Sequence, residues 1–163
     1  MMKTVWAMTL LLFGFLGNIA SADTEREAQA IATLEGFFRA FSVERYPNPD
    51  IHNWVTDDFL IFEMGEAFSW SDFEAFLESA GYRNWVSTDW QLSDLRVSVG
   101  ESAAHISYVN QGEFVYPDPD NPDQKLLEKN RWLESVYLVE EGGRLKIKFL
   151  QSDNVTREVT PLP

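Results

Sequence analysis

The sequence predicts an α+β fold in which N-terminal helices pack into a strongly curved antiparallel sheet, and three observations carry that prediction. Apolar residues recur at helical spacing only in the first half of the chain. From Trp90 onward, alternation of apolar and polar residues replaces that period. Gly142-Gly143 then separates two long alternating runs, as a two-residue hairpin turn requires. Helices and strands segregated along a chain mark the α+β class.

The first segment, Met1-Met2-Lys3 followed by an apolar stretch and then Ala20-Ser21-Ala22, has the pattern of a secretory signal with a small-residue cleavage site. Residues 1–22 are therefore expected to be removed, leaving a secreted or periplasmic chain. The stretch is too short to span a bilayer of about 30 Å, and Asn18 interrupts it. Residues 23–156 are expected to form one domain, with 157–163 as a C-terminal tail. The chain has no cysteine, which excludes a disulfide framework and thiolate chemistry. A net charge of −13 makes nucleic acid, and membrane surfaces after signal cleavage, poor partners. Six tryptophans and twelve phenylalanines imply a core or cavity with large flat walls.

Thr24 and Glu27 have the form of a capping box, and Ile31, Leu34, Phe37, Phe38 and Phe41 follow at helical spacing. Tyr46-Pro47-Asn48-Pro49 ends that helix. A helical turn over residues 50–55 leads to the strand Phe59-Leu60-Ile61-Phe62, with Phe62 and Met64 as wall material. Gly65-Glu66 turns the chain back through Ala67-Phe68. Ser69 or Ser71 caps the next helix, whose Phe73, Phe76, Leu77 and Ala80 share a side before Gly81 ends it. Leu95, Val97 and Val99 form a half-buried strand, and a turn at Gly100-Glu101 puts Ala104, Ile106, Tyr108, Asn110 and Gly112 on its face. Three prolines in residues 117–123 predict an exposed loop. In the final hairpin, a two-residue turn places Trp132, Glu134, Val136 and Leu138 on one face with Leu145, Ile147, Phe149, Gln151 and Asp153. Lys146 and Lys148 point away. The inward face is apolar near the turn and becomes polar at its far end.

The stretches EAQAIATLEGFFRAF, WVTDDFLIFE, SWSDFEAFL and EEGGRLKIKFLQSD, in this order and spacing, resemble the nuclear transport factor 2-like superfamily, in particular its SnoaL-like and ketosteroid-isomerase-like branches. The resemblance covers residues 23–153. It implies a sheet wrapped round its helices as a cone with a pocket in its mouth, used by isomerases, dehydratases, hydrolases and members with no demonstrated reaction. In many relatives the closing strand reads G-R-W-K-I followed by histidines and a serine. Here Leu145 replaces the aromatic, and Phe149 and Gln151 stand where histidines are expected, so metal or imidazole chemistry is not carried over.

Glu134 is the candidate catalytic residue. Buried against aromatics, its carboxyl would have a raised pKa suited to general acid or base work; alternatively it pairs with Arg131 or a cavity-rim residue and stabilises the sheet. Trp85, Tyr108, Asn110, Trp132, Gln151 and Asp153 are the candidate ligand-binding residues. His52 and His105 have no ligand-spaced partners, so no metal and no cofactor are expected. Asp118, Asp120 and Asp123 suggest either calcium or a solvated acidic loop. Asn154-Val155-Thr156 matches a glycosylation sequon. The function expected is binding of a small, largely apolar molecule by an exported protein. The alternatives are an isomerase, dehydratase or hydrolase using a carboxylate acid/base, and a dimeric interaction module pairing through Leu133, Tyr137, Val139 and Leu150.

Overall fold

The computed structural model describes residues 14–163, with side chains from residue 22 onward, and most of the expected signal segment lies outside the described side chains. Helix α1 (Gly14–Phe41) runs unbroken across Thr24. No proline interrupts these residues, so the threonine expected as an N-cap lies inside the helix instead. Among the described residues no helix is long and apolar enough to cross a membrane. The apolar stripe behaves as its spacing requires: Leu34, Phe37, Phe38 and Phe41 are all buried. Thr33 docks the helix on the sheet, its hydroxyl donating to the Leu145 carbonyl at 3.1 Å.

A 3₁₀ turn (Pro49–Asn53) leads into β1 (Val55–Glu63). Met64 and Gly65, both at positive φ, make the two-residue turn into β2 (Glu66–Ser69). Of the two candidate caps, Ser69 starts α2 (Trp70–Ser79), in a capping box with Asp72. Then follow β3 (Ser87–Val99), β4 (Ala103–Pro117), β5 (Lys125–Glu141) and β6 (Arg144–Pro161). The sheet runs β2-β1-β6-β5-β4-β3. It is mixed, because β1 lies parallel to β6 while every other pairing is antiparallel. Residues 157–161, expected as a tail, continue β6, which stays paired with β5 as far as Leu126 opposite Pro161.

The Gly142-Gly143 turn sets the register as expected, with Glu141 opposite Arg144 and Leu138 opposite Ile147. Tyr137, however, pairs with Phe149, which leaves Lys148 as an extra residue in β6. A second extra residue, Val155, separates the Trp132–Asn154 pair from the Arg131–Thr156 pair. A third irregularity, at Asp94 with φ 53°, interrupts β3 against β4. Each bulge adds bend and twist, and together they curl the sheet round α1 and α2.

Gly36 lets the helix meet the sheet's entry. A Cβ there would lie on the ring of Trp54, the residue just before β1. Gly36→Ala gains roughly 1 kcal/mol of helix propensity. Displacing a large ring from a packed contact costs about 1–3 kcal/mol, so the substitution is expected to destabilise. Urea unfolding of the two chains measures the sign.

Candidate functional site

The strands stack inward-facing side chains in rungs across the sheet. The lowest relevant rung, Ile61-Leu150-Val136-Ile106, is apolar and buried throughout. One step further from the turn, Tyr108, Glu134 and Ser152 lie directly opposite one another on β4, β5 and β6, and Glu63 of β1 adjoins Ser152. The next rung is Asn110-Trp132-Asn154. Above these rungs a cavity of about 860 Å³ opens between the sheet and the helices. Phe37, Phe38 and Phe41 of α1, Phe73 and Phe76 of α2, and Trp85, Trp90, Phe114 and Trp132 form its walls. Their rings lock one another: Trp90 meets Phe114 at 4.7 Å between centroids and Phe38 at 5.2 Å. Gly112 is required here, because a Cβ would fall 2.8 Å from the Trp132 ring and closer still to Phe114.

Glu134 lines this cavity and is only 9% exposed. Asn110 Nδ2 donates to its Oε2 at 3.1 Å and Ser152 Oγ to its Oε1 at 2.9 Å. Among the described residues no cation pairs with it, and Arg131 lies on the opposite face of β5, so the expected alternative of a pair with Arg131 does not form. Burial raises its pKa to about 7, against the lowering effect of Tyr108, Ser152 and Asn110, with the nearby Glu63 charge adding to the rise. The Tyr108 hydroxyl faces the same carboxyl without the geometry of a full hydrogen bond. Burial, then the Glu134 charge, holds its pKa well above the usual range.

Glu128, also on β5 and also inward, shows the contrasting case. Arg157 Nε and Nη2 donate to its two oxygens at 2.9 Å each, Asn130 Nδ2 at 2.7 Å and the Tyr116 hydroxyl at 2.6 Å. Burial pushes its pKa up, but these donors outweigh it and hold the carboxyl below the ordinary value. This cluster and the loop at Asp118, Pro119 and Pro122 form the cavity mouth.

Of the residues expected from sequence, Glu134, Trp85 and Trp132 line the cavity, while Tyr108 and Asn110 are buried against Glu134. Gln151 and Asp153 do not belong to the site. The bulge at Lys148 turns both to the outer, exposed face and brings Leu150, Ser152 and Asn154 inward in their place. The same shift buries Leu150, expected on the outer face. Phe62, expected as wall, instead packs edge-on against Phe149 and is half-exposed. The sequon Asn154 lines the cavity beside Asn130, and Asp118 accepts a bond from the Asp120 backbone within its own turn. Among the described residues no cluster of metal-ligating side chains forms. Sequence reasoning missed Glu63, Ser152, Glu128, Asn130 and Arg157. Glu128 and Asn130 share the parity of Trp132 and Glu134, so extending that alternation backwards finds them.

The raised pKa of Glu134 makes stability depend on pH with a definite sign. The folded chain holds this proton above pH 4.5, the ordinary value, up to about 7. Stability from this group is thus complete below the lower value and is lost as pH rises through the upper one. Across that window the loss is on the order of 3 kcal/mol. Glu134→Gln should abolish this slope and melt higher than the wild type at alkaline pH. The introduced amide nitrogen would face Asn110, whose unpartnered Oδ1 can turn to accept from it. Thermal melts across the window check both outcomes.

No protein-family model matches the sequence, and no curated protein does either. Solved structures do match. A putative scytalone dehydratase from Novosphingobium aromaticivorans superposes with a TM-score of 0.64 at 12% identity, covering 83% of this chain and 87% of its own. A hexachlorocyclohexane dehydrochlorinase, LinA type 2, gives 0.60 at 13% identity over 91% of this chain and 93% of its own. The association domain of Caenorhabditis elegans CaMKII gives 0.61 at 14% identity, covering 81% and 98%. With its helices packed against a curved six-stranded sheet, the chain has an α+β cone-like fold, similar to that of solved structures described as a ketosteroid isomerase and an NTF2-like protein.

Proposed function

We propose that this protein binds a small, largely apolar molecule in the cone and that Glu134 transfers a proton on it, in an isomerisation or elimination. One observation carries the reading: a carboxyl without a cationic partner lines an aromatic cavity and titrates near neutrality. Both of its forms are then populated at physiological pH, which suits a group that must accept and return a proton. Asn110 and Ser152 fix the carboxyl's orientation. The aromatic walls offer a ligand large apolar surfaces, which suits a small apolar molecule. Solved neighbours described as a dehydratase, a ketosteroid isomerase and a dehydrochlorinase support the same class. The N-terminal apolar segment ending at Ala20-Ser21-Ala22 supports export as part of this reading.

A neutral naphthylamine fluorophore should bind and be displaced by alicyclic ketones and halides. Failure of every such probe to bind overturns the reading. Once a turned-over compound is found, Glu134→Gln should keep its affinity and lose roughly 10²–10⁴-fold in kcat. An unchanged kcat removes Glu134 from the proton transfer, and binding without any turnover leaves a carrier.

The exposed outer face of β5 favours a second, compatible property, self-association. Leu133 and Tyr137 are 46% and 42% exposed there, and one structural neighbour is an association domain. Sedimentation equilibrium should find a dimer at micromolar concentration and a monomer for Leu133→Glu; a monomeric wild type ends the idea.

A further inference from the structure

We infer that Glu63 and Glu134 form a single proton-holding pair joined by the Ser152 hydroxyl, with Glu63 as the end that exchanges with solvent. The inference deepens the proton-transfer reading of the cavity and rests on it. Three neighbouring strands supply the chain of groups. Ser152, 5% exposed, donates to Glu134 Oε1 at 2.9 Å, and the β1–β6 register, which pairs Phe62 with Gln151, sets Glu63 beside Ser152. Both carboxyls line the cavity, but Glu63 is only half-buried and precedes Met64, which is largely exposed.

A hydroxyl has one proton to give and lone pairs to accept another, so it satisfies one carboxylate and one carboxylic acid at the same time. With both carboxyls ionised, two negative charges would share one hydroxyl proton and no cation. Among the described residues the groups around the pair supply none: β4 contributes Tyr108, β3 contributes Trp90, both helices present uncharged side chains, and Asp153 on the outer face of β6 adds only negative charge. Arg157 at the mouth is committed to Glu128. Burial holds the Glu63 carboxyl above its ordinary pKa, as it does Glu134. One proton on the pair is therefore the favoured state near neutrality. It moves when Glu134 passes its proton to the serine oxygen while the serine proton passes to Glu63. The serine is unchanged, and one proton has travelled from the cavity floor to its rim. Glu134 is reset in this way without water entering the cone.

The test is a titration by NMR of the full chain labelled with ¹³C at glutamate carboxyls. Glu134→Gln assigns its resonance by removing it; if no resonance titrating near neutrality disappears, the underlying proton-transfer reading fails. With that assignment made, Glu63→Gln should lower the Glu134 midpoint by on the order of one pH unit, because a neighbouring negative charge is gone. Ser152→Ala should raise it, because a donor to the charged form is gone. The opposite signs separate a linked pair from general loosening of the fold. An unmoved Glu134 midpoint in Glu63→Gln overturns the inference. Should that variant not fold, an unmoved or lowered midpoint in Ser152→Ala does so.

Discussion

The extra residue at Lys148 determines what the cavity floor is made of. In an antiparallel pair, side chains alternate with period two, so one added residue exchanges the two faces of everything beyond it. Without the bulge, Gln151 and Asp153 would point at Glu134, setting two carboxylates side by side in a dry site. With it, Leu150 completes an apolar rung, Ser152 brings a hydroxyl to Glu134, and Lys148 turns out to pair with Asp58 of β1. The same bulge bends β6 where it runs beside β1, whose own register shifts between Val55 and Leu60. This bulge therefore acts on curvature and on the makeup of the cavity floor at once.

The two inward glutamates of β5 show how little separates a carboxylate held charged from one pushed toward neutrality. Glu128 and Glu134 differ by six positions and have nearly the same exposure, 8% and 9%. Glu128 receives a bidentate guanidinium and two further donors, which offset its desolvation and keep it charged. Glu134 receives an amide and a hydroxyl, neutral donors too weak to offset burial. The surrounding core sustains that cost. Ile106, Val136, Leu138 and Ile147 are fully buried beneath it, and the phenylalanines of α1 close over it.

Much of this was legible in the residues. The Gly142-Gly143 turn set the parity of β5, and that parity alone put Trp132 and Glu134 inward, as found. Helix stripes, the Ser69 cap and the proline loop were equally readable, because each rests on local chemistry. The far half of β6 was not. A lysine at position 148 gives no local sign of a bulge; the extra residue shows only in the register of β6 against β5. Glu63 was unreadable for a related reason. Its neighbour Ser152 lies 89 positions further along the chain, and the parallel β1–β6 pairing that joins them has no turn to announce it.

The distribution of charge in the cone also constrains what Glu134 can act on. A cation lodged at the floor would hold the carboxyl ionised, and an anion there would hold it protonated; either fixes the proton and removes its use as acid and base. Only a ligand neutral at its reacting end leaves both forms available. Any permanent charge belongs at the mouth, where Arg157 and Glu128 are already matched and Arg157 meets water. The aromatic walls between the two ends add only a requirement of shape. On the proposed reading the cone would select a ligand by where its charge is absent, since that absence leaves a glutamate with a neutral-range pKa free to take and return a proton.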